Sequence, residues 1–258
     1  MSQALRPYSP QSPEPTAELS SVPAAAGIGP RLARLRNQFG FADLCYYYDL
    51  TTLDQWSVGG LEKAKLIKKM TKRRNLFTSS VAARKLWQDQ SRCYHSAEED
   101  LQAMFDRPCH HWNLGPSQGP LRKSLYRHGY QHKLTLSIPC PLATAMTGRF
   151  TLLFANGDEH QQTLDSLEAL TAELRLTNLQ LSLDYSRDIN PLVDYNIISP
   201  VSAYVLKLLA QGHSRDSMAQ TMNLTLRGID YHIGVLKQSL QASNIANLID
   251  KGNKVRLL

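Results

Sequence analysis

The chain has 258 residues, 42% of them hydrophobic, and a formal charge of +7. That length holds one large domain or two small ones, with ample apolar surface for a packed core. Its cysteines, Cys45, Cys93, Cys109 and Cys140, form no CxxC pair, which argues against a disulfide-stapled scaffold. No signal-peptide pattern opens the chain, and no apolar run reaches the roughly 20 residues that span a bilayer. A reducing cytoplasm, with no membrane partner, is the expected location.

The excess charge permits a polyanionic partner without demanding one, and its distribution is uneven. Leu61 to Arg74 carries seven Lys/Arg against one Glu, and Ser199 to Leu258 carries seven against three Asp. The remainder is slightly acidic.

Residues 1–30 are rich in Pro, Ser, Ala and Gly, a composition that buries too little apolar surface to offset ordering entropy. A disordered tail is expected there. Residues 31–38 finish a helix, and "FADLCYYYDL" follows as an aromatic-rich strand. "GGLEKAKLIKKMTKRRN" is a basic helix. Its charges suit a solvated face, or a phosphate or acidic-partner contact through Lys65, Lys68, Lys69, Lys72 and Arg73. "SAEEDLQAMF" is another helix, with Ser96 and Glu99 in capping-box positions. "PSQGPLRKSLYRHGY" holds a short helix ended by Gly129. "KLTLSIPCP" and "GRFTLLFAN" are strands joined by a connection containing Gly148. "QQTLDSLEALTAELRLTNLQLSLDYSRD" is one long helix, with Leu164, Leu167, Leu170 and Leu174 along a face that is either core or a dimer seam.

This order predicts an α+β fold: a sheet with helices on its faces over 31–187, a linker over 188–198 containing two prolines, and an all-helical unit over 199–258. In that last unit Ser199 and Pro200 open a helix as N-cap and first position. Gly212 stops it. Ser214 caps the next helix, Asn223 and Leu224 turn the chain, and Thr225 caps a third. Ile229, Ile233, Leu236 and Leu240 then form one buried stripe, and a fourth short helix follows around Ile245 to Lys251. A pair of helices joined by a short turn and braced on either side is the layout of a helix-turn-helix reader, whose second helix enters the major groove. The outer face of that helix offers Arg227, Asp230, Tyr231, Gly234, Lys237 and Gln238. The same spacing also fits a helical packing module with no ligand.

"ISPVSAYVLKLLAQGHSRDSMAQTMNLTLRGIDYHIGVLKQSL" resembles the LuxR-type helix-turn-helix domain. The matching features include the Ser199-Pro200 opening, "VLKLLAQG", Ser214, Ala219, Leu224, Ile229, His232, Leu236 and Leu240. Upstream, "FGFADLCYYY", Trp87, "RHGYQHKLTLSIPCP" and "GRFTLLFAN" are similar in order and spacing to the autoinducer-binding domain of quorum-sensing LuxR regulators. The resemblance implies an α-β-α sandwich that binds an acyl-homoserine lactone or related signal, followed by a four-helix DNA-binding domain. It implies a homodimer on duplex DNA, and a small-molecule autoinducer as the only cofactor-like partner. Cys45, Tyr47, Thr78, Ser79, Trp87 and Thr151 are the positions it would place around the signal. Arg227, Asp230, Tyr231, His232, Gly234 and Lys237 are those it would place against DNA.

The sequence departs from the family's pattern in both halves. The family's Trp/Tyr pair four apart and its Asp-Pro are missing from "EKAKLIKKMTKRRNLFTSSVAARKLW". Thr78, Ser79 and Ser80 stand near the acidic position, and a hydroxyl accepts a hydrogen bond more weakly than a carboxylate. This argues against an ordinary acyl-homoserine lactone, and for a different apolar signal or a pocket filled by side chains. On the reading helix, Asp230 and Gly234 fall where basic residues are common, and Ser202 replaces a Glu of the first helix. A carboxylate facing the duplex repels phosphate, although it can accept from cytosine. These departures raise an alternative function: an anti-activator that heterodimerises with a related regulator and blocks it.

Cys93, His95, Cys109, His110 and His111 have zinc-ligand chemistry, but C-x-H followed by C-H-H matches no closed framework. They are read as ordinary surface histidines and packed cysteines, and no metal is expected. No G-x-S-x-G, H-E-x-x-H or glycine-rich phosphate loop is present, so no enzyme is expected.

Overall fold

A computed structural model describes residues 22–52, 75–91, 98–112 and 119–258. The expected tail over 1–21, the basic helix 61–74, the Ser96 cap, Cys93 and His95 lie outside the described residues.

Ordered structure starts earlier than composition suggests. Helix α1 runs Val22–Phe39, so the stretch up to residue 30 is not all tail. Ile28, Leu32 and Leu35, at spacings of 4 and 3, are buried against the sheet. Each such burial is worth about 1.5–3 kcal/mol, which together exceeds the roughly 3 kcal/mol lost to Pro30 inside the helix. The Pro, Ala and Gly content that masked this helix also serves it. A Cβ at Gly27 would strike the Tyr185 ring, so glycine allows α1 to approach the later helix α6 (Leu167–Tyr185) closely.

The strands are β1 (Asp43–Leu50), β2 (Phe77–Thr78), β3 (Cys109–His111), β4 (His132–Pro139) and β5 (Met146–Phe154). They form an antiparallel sheet in the order β2-β1-β5-β4-β3. Between them lie α2 (Val81–Ser91), α3 (Glu98–Asp106) and α4 (Gly119–Arg127). Gly129, with φ of +84°, turns the chain after α4, as expected.

Strand β1 is buried at every position, because helices cover both of its faces. One face is apolar: Leu44, Tyr46, Phe150, Leu152 and Leu134 pack on α1 and on Leu170, Leu174 and Leu181 of α6. The other face lies under α2, α3 and α4 and carries Cys45, Tyr47, Thr135, Arg149 and Thr151. The fold is therefore the expected α-β-α sandwich followed by helices.

Gly148 does not lie in the β4–β5 connection. It is paired within β5 against Tyr48 and Ile138, where a Cβ would collide with the Asn178 amide of α6. That amide donates to the Ile138 carbonyl at 3.1 Å and accepts from the Tyr46 hydroxyl at 3.2 Å, locking α6 onto the sheet.

The long C-terminal helix of the sandwich is two helices. Helix α5 (Gly157–Asp165) ends at Ser166, whose hydroxyl bonds back to the Gln162 carbonyl, and α6 starts at Leu167. Serine in a helix competes with the backbone in this way. On α6, Leu170, Leu174 and Leu181 are fully buried, so of the two readings of the leucine face the structure gives core. A different seam faces outward: Ala169, Ala172, Leu176, Leu179 and Leu183, at spacings of 3, 4, 3 and 4, of which only Leu179 is half-buried. Leu176 and Leu183 are 50% and 58% exposed.

The segment 188–198, expected as a linker, is packed. It contains α7 (Pro191–Asp194), capped by Asn190, and Ile189, Asn190, Leu192 and Ile198 are fully buried. The Asn190 amide also donates to the carbonyls of Val255 and Arg256 at 2.8 and 3.0 Å, tying this segment to the chain's C-terminal end. Four helices follow: α8 (Pro200–Ala210), α9 (Arg215–Met222), α10 (Leu226–Ser239) and α11 (Ile245–Lys254). Their apolar interior is continuous with the apolar layer beneath the sheet, through Ile189, Leu192, Tyr195 and Ile198.

Candidate functional site

Local chemistry sets the path of the last four helices. Ser199, Ser214 and Thr225 each accept a hydrogen bond from the backbone N–H three residues on, at 3.1, 3.2 and 3.1 Å. Each satisfies one orphan donor of its helix. Between α9 and α10, Asn223 takes the left-handed conformation at φ of +56°, which asparagine tolerates well. The Leu224 N–H then closes onto the Ala219 carbonyl at 2.9 Å. Ile229, Ile233, Leu236 and Leu240 face inward against α8 and α9.

The opposite side of α10 is open. Arg227, Asp230, Tyr231, Gly234 and Gln238 are exposed, Tyr231 by 66%, and Lys237 is half-buried. His232 does not belong with them. Its Nδ1 lies 3.0 Å from the Ser202 hydroxyl, and Ser202 is buried. Burial pushes the His232 imidazole below its ordinary pKa, favouring the neutral form, so it is a poor phosphate partner. Ser202 and His232 thus join α8 to α10 rather than facing outward.

Asp230 is not a bare carboxylate. Its Oδ1 lies 2.7 Å from Nε of Arg215, the first residue of α9, and both side chains are 57% exposed. Arg215 had no signal of its own in the sequence, since the pairing spans the turn and needs the packing angle of α9 on α10. The pair borders an open depression of about 480 Å³ between α8, α9, α10 and α11.

The candidate signal site is the polar face of the sheet. Thr78, Cys45, Thr151 and Thr135 stand in one row across β2, β1, β5 and β4. Tyr47 is on the same face, its ring 5.7 Å from that of Trp87 on α2. Cys45, Tyr47, Thr78, Trp87 and Thr151 therefore lie on one face. Ser79 does not join them: its hydroxyl donates to Asp43 at 2.7 Å and accepts from the Leu44 N–H at 2.8 Å. The Thr78 hydroxyl donates to the Ser80 carbonyl at 2.8 Å. Burial pushes the Cys45 thiol up to about 12, so it stays neutral and unreactive.

Several polar groups on this face escaped the sequence reading. The Trp112 indole donates to Thr135 at 2.9 Å, and Thr135 and Thr151 share a hydrogen bond of 2.9 Å. The Tyr47 hydroxyl donates to the Met104 sulfur at 3.2 Å. Lys133 lies 3.8 Å over the Trp112 ring and donates to Gln90 at 3.1 Å. Further along, Arg149 Nε pairs with Asp49 at 3.2 Å, and the Tyr195 hydroxyl donates to the same carboxylate at 2.7 Å. Alternation along β1 (Asp43, Cys45, Tyr47, Asp49) is the one signal that would have assigned these groups to a common face.

No model of a protein family matches the chain, and no curated protein matches it. Among solved structures, the chain is similar to Escherichia coli SdiA, with 14% identity and a TM-score of 0.43, covering 90% of this chain and 91% of that one. It is also similar to SdiA in complex with octanoyl-rac-glycerol, with 15% identity and the same TM-score, covering 90% of this chain and 88% of that one. Among the described residues no helix is long and apolar enough to cross a membrane, and no group of His, Cys, Asp and Glu is arranged to hold a metal.

Proposed function

We propose that the chain is a dimeric, DNA-binding transcription regulator of the quorum-sensing LuxR type, acting in the cytoplasm. The observation that carries this reading is the open face of α10, with Arg227, Tyr231 and Gly234 exposed beside a half-buried Lys237. An exposed tyrosine set between Arg227 and Lys237 on one helix face suits contact with a polyanion. In a dimer, two such helices would enter successive major grooves of a two-fold symmetric site. The outward seam on α6 (Ala169, Ala172, Leu176, Leu179, Leu183) has the spacing of a coiled-coil contact and is the surface we assign to dimerisation.

The polar sheet face under α2, α3 and α4 is the site we assign to a small signal. Its hydroxyls are engaged with one another, with the indole of Trp112 and with backbone carbonyls. An apolar molecule with few polar groups fits such a surface better than one needing a charged acceptor. The anti-activator reading keeps one observation in its favour: Gly234 leaves the middle of the reading face without a side chain. The test is duplex binding by the full chain across a salt series. A DNA reader loses affinity steeply as salt rises, by about 0.9 log units per log unit of salt for each phosphate neutralised. Absence of binding at low salt, with and without a cell extract supplying the signal, overturns the reading and leaves the anti-activator.

A further inference from the structure

The acid on the reading face raises a specific question, because a lone carboxylate against a duplex would repel it. Asp230 is not alone: Arg215 Nε is 2.7 Å away. The local setting of Arg215 gives it no reason to be basic. It is the first residue of α9, where the helix macrodipole disfavours a cation. Among the described residues its guanidinium makes no hydrogen bond, and the side chain is 57% exposed. The guanidinium is thus in ion-pair contact with the carboxylate while its N–H donors stay open, which suits a planar, charge-assisted contact with an oxyanion. In a helix-turn-helix the first helix of the pair crosses the DNA backbone while the second occupies the groove. Arg215 stands at the end of that first helix, next to the groove-facing side of the second.

Resting on the DNA-binding reading above, we infer that Arg215 contacts a DNA phosphate and that Asp230 is its positioning residue rather than a repelling charge. The carboxylate draws the side chain across the α9–α10 turn by charge, and the guanidinium keeps its N–H donors for the phosphate. As a unit the pair carries no net charge, so Asp230 costs the face little long-range attraction while it directs the short-range contact.

The test is a mutant cycle on the full chain, read as affinity for a mixed-sequence duplex of about three helical turns and as the salt slope of that affinity. Arg215→Gln should lower the steepness of the slope by about 0.9, one phosphate's worth, and weaken binding to all sequences alike. Asp230→Asn should weaken binding by about 2- to 5-fold, the range of an exposed ion pair. It should no longer weaken binding once Arg215 is Gln and the carboxylate stands alone. Arg215→Lys should keep the slope but lose affinity, since a lysine lacks the planar set of N–H donors. Both side chains are exposed, so thermal melts of the variants should match the parent and exclude a folding defect. Tighter binding by Asp230→Asn, as removal of a plain repelling charge would give, overturns the inference, as does an unchanged slope in Arg215→Gln. If the parent chain binds no duplex at all, the DNA-binding reading fails first, and this inference with it.

Discussion

Tyr195→Phe removes a hydrogen bond that joins the helical end of the chain to the sheet. The Tyr195 ring is 2% exposed, and its hydroxyl donates to Asp49 Oδ1 at 2.7 Å. Asp49 is fully buried, with its other oxygen 3.2 Å from Arg149 Nε. Phenylalanine keeps the ring and removes only the donor, so the loss is that of a hydrogen bond to a buried charge, about 2 kcal/mol. At roughly 2.1 cal/mol/K per residue, a 258-residue chain unfolding as one unit has an unfolding entropy of about 0.5 kcal/mol/K. The melting temperature should then fall by about 4 °C, read by circular dichroism or calorimetry. Arg149→Met should cost more, about 3–5 kcal/mol, because it removes a guanidinium paired with a buried carboxylate. A change below about 0.5 kcal/mol in Tyr195→Phe would refute the view that the segment 188–198 is anchored through Asp49.

Other outcomes follow from the same packing. Gly148→Ala should destabilise the protein by about 1–3 kcal/mol, since the new methyl displaces the Asn178 amide from its bonds to Tyr46 and Ile138; chemical denaturation measures this. Burial holds the imidazoles of His160 and His232 below their ordinary value of 6.5. The unfolded chain then binds more protons in the window just below 6.5, so their contribution is fully present above 6.5 and is lost as pH falls through it toward the folded values. Melting temperatures at pH about 7.5 and 5.5 should show this drop, and His232→Asn should reduce it. Leu176→Glu with Leu183→Glu should convert a dimer to a monomer in light scattering without lowering the melting temperature of the monomer, because both side chains are exposed.

The helix-turn-helix geometry was legible because its signals are local. A cap such as Ser214 or Thr225 and a left-handed turn at Asn223 each act within a few residues. The α10 stripe was equally plain, since its spacing alone separates inside from outside. Features that depend on distant partners were not legible. Asp230 looked like a repelling charge because Arg215 is 15 positions away in sequence and meets it only across the packed helices. His232 looked exposed for the same reason, its partner Ser202 lying on α8. Composition misled at α1, where Pro, Ala and Gly hid a helix whose three buried residues decide its fate, and prolines suggested a loose linker where Asn190 and α7 are packed. The leucines of α6 were counted correctly as apolar, but two faces of one helix both carry leucine, and only the packed structure says which is core.

The outer face of α10 is the surface we propose reads DNA. Selection of bound sites from a random duplex pool by the full chain tests it most directly, with Arg227→Ala and Tyr231→Ala selected in parallel. A DNA-reading α10 should enrich a two-fold symmetric site with half-sites about one helical turn apart, with altered preference at the contacted positions in both variants. No enrichment, or the same enriched site from all three proteins, would contradict it.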